Sequence, residues 1–563
     1  MEEILSSNSP QSMFTWIDYT VFSGMLGLSV AIGVYFGFFG PKQDNKEVYI
    51  LGGKDMNVLP VATSLVASQI SGISLLAIPA DTYLFGLNYI WIVLVCPIVC
   101  LLSAYLYLPV FFNLQLTSIY EYFNLRFNRS IRVLSSFLYT ITVFVYCPLI
   151  TYIPSLAFSQ VSGINVHYIT PVVCAICIFY TTIGGLKAVV WTDAFQFIGI
   201  IISVIAVFVL GIMAAGGSDK TWEIAGEGKR LELSFSLDPT LRDSFWSVAI
   251  GGLFNYMPFF TLNQGSMQKY QSLPTFQDTK KAIILYCFGY MSLASITILT
   301  GCVIYANYWN CDPLSSDQIQ QPDQLVAYLL MDVAKNIPAI PGIFIAGVFS
   351  ASLSSLSANL NTISSTIYED FISPFMPTQT TEKTASHILK LIVVVAGVIS
   401  IGLIFLYERL GSVFPIFVAF QGVANGPLLA LFTMGILCPF VNSKGALLGG
   451  VSGLLFAGWI TIGHQWYTSK GVFDTHAKPV SIQGCNFTVN QTISSNNPFE
   501  EPFVLYRLSI WYISLLGTVV CAIVAMVVSL VTKNDEKQLN LNLFSPLVHK
   551  FVPINPEEIK TKL

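Results

Sequence analysis

Hydroxyl- and amide-bearing side chains crowd one apolar stretch, Gly347–Phe371, GVFSASLSSLSANLNTISSTIYEDF, among them Ser350, Ser352, Ser354, Ser355, Ser357, Asn359, Asn361, Thr362, Ser364 and Ser365. A helix needs about 20 residues at about 1.5 Å each to cross a bilayer, and this stretch is long enough. Leu353, Leu356, Leu360 and Ile363 recur at three- and four-residue steps, leaving one apolar face and polar oxygens over the rest. Polar groups at membrane depth face a bundle interior or a watered cavity. Neutral oxygens with no fixed positive charge beside them suit a hard monovalent cation such as Na⁺. Serines can also bond back to their own helix or let helices approach closely. Close packing, however, needs two or three small residues, not so many polar ones.

Three further stretches carry polar groups into apolar surroundings. LVASQISGISLLAIPADTY holds Gly72 and Pro79 across the middle of a span. Proline removes a donor and obstructs the helix ladder. Carbonyls freed in this way are tolerated in a membrane only where they line a cavity or bind something. A packed proline kink is the plainer alternative. IGGLKAVVWTDAFQF ends one span at Gly184–Gly185 and opens the next with Asp193 and Gln196. An acid there favours the helix dipole, unless the helix begins near Ala188, where a carboxylate more than one turn inside needs a cation. Tyr146–Cys147–Pro148 is an aromatic–proline break able to flank a cavity. Gln264–Gly265 and Gln268–Lys269–Tyr270 read either as inner-gate residues or as a helix end.

The elements that position these residues are membrane helices. Of 563 residues 54% are hydrophobic and 10% charged, against about 25% charged in soluble chains. About thirteen spans are legible between Trp16 and Val531, predicting an all-α polytopic protein with a transmembrane domain over 1–531 and a short cytoplasmic tail over 532–563. The net charge of −4 gives no sign of nucleic-acid binding. No nucleotide loop, zinc motif or nucleophile elbow is present, and the acids of the spans are isolated, so an enzyme is not expected. Cys96, Cys100, Cys174, Cys177 and Cys287 fall inside apolar spans and read as small core residues.

Basic residues concentrate in the loops that become cytoplasmic when the N-terminus is placed outside, giving a multi-pass plasma-membrane protein with its C-terminus inside. The sequons at Asn486 and Asn490 both fall in a long loop assigned outside. Cys311 and Cys485 lie in two outer loops, where they either form a disulfide or stay free. Thr561–Lys562–Leu563 at the C-terminus has the form of a PDZ-domain ligand.

GGLKAVVWTDAFQ, ASQISGISLLAIPADTYLFG and SSLSANLNTISSTIYEDF together resemble the sodium/solute symporter family, and Lys444–Gly450 is similar to its second signature region. Within the family the pattern resembles the animal branch of sodium-coupled monocarboxylate, iodide and multivitamin carriers. The resemblance implies a leucine-transporter-type 5+5 inverted repeat with extra flanking helices, its repeats being spans two to six and seven to eleven. It implies Na⁺ as coupling ion, with no other cofactor. The sodium ligands would be the carbonyls of Ala67, Ile70 and Ala351 with the hydroxyls of Ser354 and Ser355. Ala351 and Ser354–Ser355 are one turn apart, so the spacing agrees. Asp193, and with it Gln196, would serve a second sodium or the inner gate. Gln69, Ser71, Ser74 and Tyr146 would lie near the substrate or a second ion. Iodide carriers would have an aromatic at Gln69 and Gln at Ser74, which points away from iodide. The expectation is import of a small organic anion, foremost lactate, pyruvate or a short-chain fatty acid, with vitamin or iodide carriage, or sodium-dependent sensing without transport, as alternatives.

Overall fold

The structure is a computed structural model that describes residues 14–39, 46–335, 337–377, 381–407, 413–472, 477–485, 502–532 and 540–551. The sequons at Asn486 and Asn490 and the terminal Thr561, Lys562 and Leu563 lie outside the described residues. Among the described residues the regular elements are all helical. We label the principal ones α1 (Trp16–Val34), α2 (Val58–Gln69), α3 (Gly72–Phe85), α4 (Ile92–Leu102), α5 (Arg129–Ser162), α6 (Val166–Ala214) and α7 (Gly252–Phe260). They continue with α8 (Gln264–Gln271), α9 (Phe276–Tyr308), α10 (Ile340–Thr366), α11 (Glu382–Tyr407), α12 (Val413–Leu437), α13 (Ser443–Thr468) and α14 (Tyr512–Val531).

Among the described residues ten helices are long and apolar enough to cross a membrane, or eleven when the bent pair α2–α3 counts as one span. At about 1.5 Å per residue α6 would run more than twice the roughly 30 Å bilayer core. It is broken at Gly185, whose φ of 55° and ψ of −155° belong to glycine. A Cβ there would also lie 2.8 Å from the Tyr49 ring. Taking its halves separately, and counting the interrupted segment α7–α8, brings the spans to the thirteen expected from the sequence.

That segment departs from the single continuous span expected at 245–267. Pro258 removes a donor inside α7, and the chain leaves the helix at Thr261. Asn263 then starts α8, its Oδ1 accepting from Ser266 N–H at 2.8 Å. The first span of each five-span repeat is therefore broken. In α2–α3 the break is extended backbone at Ile70 and Ser71, with a 52° bend.

The polar helix α10 is the most enclosed span. Of its most apolar window 89% is buried, against 33% for α11. It packs most extensively on α6 and also against α5, α1 and α2. The carboxy-terminal tail is not wholly free of the bundle. Phe544 is buried, Ser545 N–H donates to Ile436 O at 3.2 Å, and the Tyr122 hydroxyl donates to Leu543 O at 3.0 Å.

Candidate functional site

A helix leaves its last four carbonyls without intrahelical donors. At the end of α2 the Val66 carbonyl accepts from Ile70 N–H at 3.0 Å, and the Ser68 carbonyl from the Ser355 hydroxyl at 2.9 Å. The carbonyls of Ala67 and Ile70 accept no hydrogen bond among the described residues, although both residues are buried. Ala351, Ser354 and Ser355 are buried on α10, and Ser354 Oγ lies 3.3 Å from Ser68 Oγ of α2. Just past the break, Gly72 of α3 lets α10 and α5 approach closely because it has no side chain. A Cβ there would lie 2.6 Å from Ser352 Oγ and 2.5 Å from Pro154 Cγ. Unsatisfied carbonyls and hydroxyls thus gather at one contact between α2 and α10, the oxygen-only donor set that a hard cation takes.

Directly linked to this contact is a buried charge cluster. Asp193 Oδ2 accepts from Ser64 Oγ at 2.6 Å, from Ser68 Oγ at 3.0 Å and from the Lys269 ammonium at 3.0 Å. Lys269 also donates to the Ser64 carbonyl at 3.1 Å and to Ser68 Oγ. Both charged side chains are almost wholly enclosed, at 2% and 0% exposure. Asp193 Oδ1 is buried without a partner, an acceptor still open to a cation. Ser68 joins the two groups, touching Asp193 on one side and Ser354 on the other. Gln196 does not belong to the cluster: its Nε2 donates to Ser29 Oγ of α1 at 3.1 Å.

Between the two breaks lies a cavity of about 80 Å³, bordered by Gln69, Tyr139, Tyr146, Asn359, Gln421 and Asn425, with Lys269 at one edge. A smaller one of about 20 Å³ shares Gln69, Tyr146 and Gln421 with it and adds Ser74, Asn255 and Trp511. Ser71 borders neither but is within hydrogen-bonding reach of the Tyr146 hydroxyl. Gln69 is held by Phe259 O at 3.1 Å and Ser266 Oγ at 3.3 Å, so the two breaks touch through it. Of the four residues expected near the substrate, Gln69, Ser74 and Tyr146 border these cavities and Ser71 does not. Asn359, Gln421, Asn425 and Trp511 were not among those expected. Asn359 had been read only as part of the polar stripe.

Beyond the small cavity the protein is closed. Arg242 pairs with Asp81 of α3 at 2.5 Å, and its guanidinium lies 3.6 Å from the Phe85 ring centroid. Trp511 Nε1 donates to Asp243 Oδ1 at 2.8 Å, so the residue just before α14 takes part in the closure. Cys311 and Cys485 are joined by a disulfide, which ties two loops together.

Two five-span halves, each opening on a broken helix with polar cavities at the breaks, define a secondary transporter of the leucine-transporter type. The model of the sodium:solute symporter family matches residues 49–453, and the chain belongs to that family. It is a sodium-coupled solute symporter, not an enzyme. It is 34% identical over 546 residues to sodium-coupled monocarboxylate transporter 1 of Xenopus laevis, covering 94% of this chain and 87% of that protein. It is 33% identical over 564 residues to the sodium-dependent multivitamin transporter of Oryctolagus cuniculus, covering 97% and 87%. A solved Na⁺-coupled sialic acid symporter in a substrate-bound outward-open state shares the fold, with TM-score 0.74 at 22% identity over 93% of this chain and 100% of that one.

Proposed function

We propose that this symporter imports a small monocarboxylate, of the size of lactate, pyruvate or a short-chain fatty acid, together with Na⁺. The observation that carries the substrate class is the cavity at the two breaks. At about 80 Å³ it is well below the roughly 300 Å³ at which drug-sized ligands begin to fit. Its rim offers amide and hydroxyl donors, and its one ammonium, Lys269, is already engaged by Asp193. A carboxylate can be held there by several neutral donors while the co-bound Na⁺ offsets its charge.

Na⁺ enters as co-substrate, taken by the carbonyls of Ala67, Ile70 and Ala351 and the hydroxyls of Ser354 and Ser355. Bound there it holds α2 against α10 and fixes the break at which Gln69 and Tyr146 face the substrate. Its departure removes the ion that draws the carbonyls of α2 and the hydroxyls of α10 together, and the contact loosens toward the inner side. Asp193 and Lys269 form the inner gate. The carboxylate is open to the leaving Na⁺ at Oδ1, and the tethered ammonium keeps it neutralised once the ion has gone. Inward movement of each net positive charge gains about 2.3 kcal/mol per 100 mV of membrane potential.

The N-terminus is placed outside and the C-terminus inside, in the plasma membrane. The loop basic residues support this. So does the Cys311–Cys485 bridge, because disulfides persist on the oxidising side. Asn486 and Asn490 would then be glycosylated outside, and Thr561, Lys562 and Leu563 would be available to a cytoplasmic PDZ domain.

The multivitamin relative supports a second reading, in which biotin or pantothenate is carried by a more open state of the same cavity. Uptake of labelled lactate, biotin and iodide, each with Na⁺ and with choline in its place, separates the readings. Sodium-dependent lactate uptake is expected. Uptake of biotin or iodide alone would overturn the substrate and leave the sodium site standing. Sodium-evoked current without uptake of any solute would make the protein a sensor.

A further inference from the structure

Away from the sodium contact, three cysteines that the sequence presents as separate core residues come together. Cys96 and Cys100 stand one turn apart on α4, and Cys287 faces them from α9. Their three sulfurs all lie within 4.8 Å of one another. Cys96 Sγ is 3.7 Å from Cys287 Sγ, and the thioether of Met291 is also 3.7 Å from Cys287 Sγ. A metal bound to sulfur at about 2.3 Å in tetrahedral geometry sets neighbouring sulfurs about 3.8 Å apart. The Cys96–Cys287 and Cys287–Met291 distances thus already match the spacing of a sulfur coordination shell.

Two phenols lie beside the cluster. The hydroxyls of Tyr270 and Tyr286 are buried with no hydrogen-bond partner. Tyr270 is within electrostatic reach of all three cysteines, and Tyr286 of Cys96 and Cys100.

We propose that Cys96, Cys100, Cys287 and Met291 form a binding site for a monovalent d¹⁰ cation, Cu⁺. Soft thiolate and thioether donors select such an ion over Na⁺, Mg²⁺ or Ca²⁺. The membrane interior favours a complex without net charge. One cysteine releases its proton and binds as thiolate, the other sulfurs bind as neutral donors, and the single positive charge of Cu⁺ is cancelled. The ion would bridge α4 and α9. On α9, Ile284 and Phe288 are exposed at the surface of the bundle. Cys174 and Cys177 on α6 share the burial but not the cluster: the thiol of Cys177 faces Tyr180 and the Leu353 carbonyl.

The test is anaerobic Cu⁺ titration of the purified full-length protein in detergent, in competition with a chromophoric Cu⁺ chelator. One ion per chain is expected. Cys96→Ser or Cys287→Ser should weaken binding by at least about 100-fold. The pair Cys174→Ser/Cys177→Ser should bind as the wild type does. X-ray absorption of the loaded wild-type protein, which needs no variant, should show only sulfur neighbours near about 2.3 Å. No stoichiometric binding, a shell of nitrogen or oxygen, or equal loss in the Cys174/Cys177 pair would overturn the proposal.

Discussion

Ser354 and Ser355 hold their positions through few bonds, which makes them sensitive tests of the proposed sodium site. Ser355 donates to the Ser68 carbonyl and Ser354 approaches only Ser68 Oγ, so neither is needed to keep α10 helical. A bond to a charged group contributes about 1.5–3 kcal/mol. Ser354→Ala or Ser355→Ala should therefore raise the Na⁺ concentration for half-maximal uptake by about 10-fold or more. The substrate's own half-saturation at high Na⁺ should move far less. Lys269 and Asp193 behave differently, since removing one partner strands a buried charge at a cost of about 3–5 kcal/mol. Lys269→Met is expected to lower the thermal unfolding temperature in detergent and to abolish uptake. Adding Asp193→Asn should restore most of the stability but not the transport. A double variant as unstable as the single one would contradict the pairing. The oxygen cluster on α10 was legible because so many polar residues in one span have few other uses. The Lys269–Asp193 pair was not, because the partners stand on different repeats and only the fold brings them together. Ser64 and Ser68, one turn apart on α2, were the local signal available for it.

Among the elements, the two breaks set the geometry. Their sequence signals differed in strength. Gly72 and Pro79 flag the first, although the backbone opens at Ile70–Ser71, ahead of both. The second depends on Pro258 and the Asn263 cap and reads as an ordinary span until its hydrogen bonds are followed. Gly72→Ala tests the first break. The added methyl would meet Pro154 and Ser352 at 2.5 and 2.6 Å, and overpacking of this kind costs about 1–3 kcal/mol. It should push α3 away from α10 and reduce uptake per molecule at the cell surface by more than about 10-fold. Uptake normalised to surface-biotinylated protein is the measure; wild-type turnover in Gly72→Ala would remove the close approach from the account.

Across the whole molecule, parts outside the ten-span core complete the closure. Trp511, just before α14, borders the smaller cavity and bonds Asp243, next to the Arg242–Asp81 pair. The disulfide joins residues 174 positions apart in the chain. A bridge over a loop of this length stabilises by about 2–5 kcal/mol. Cys311→Ser, Cys485→Ser and the double variant should thus lose equal amounts of thermal stability, whereas unbridged cysteines would give additive losses. Span count and helical class were readable from composition and periodicity, because bilayer thickness fixes helix length. Cavity size, the α14 contribution and the closure at Arg242–Asp81 were not, since they depend on how distant spans pack. The central claim is that sodium, held between α2 and α10, drives the uptake of a small carboxylate. Its most direct test is labelled lactate uptake into proteoliposomes of the purified protein, wild type and Ser354→Ala, across a range of inward Na⁺ gradients. The account predicts uptake that vanishes when choline replaces Na⁺, with a sodium dependence displaced to higher concentration in the variant. Uptake indifferent to sodium, or the same sodium curve for both proteins, would contradict it.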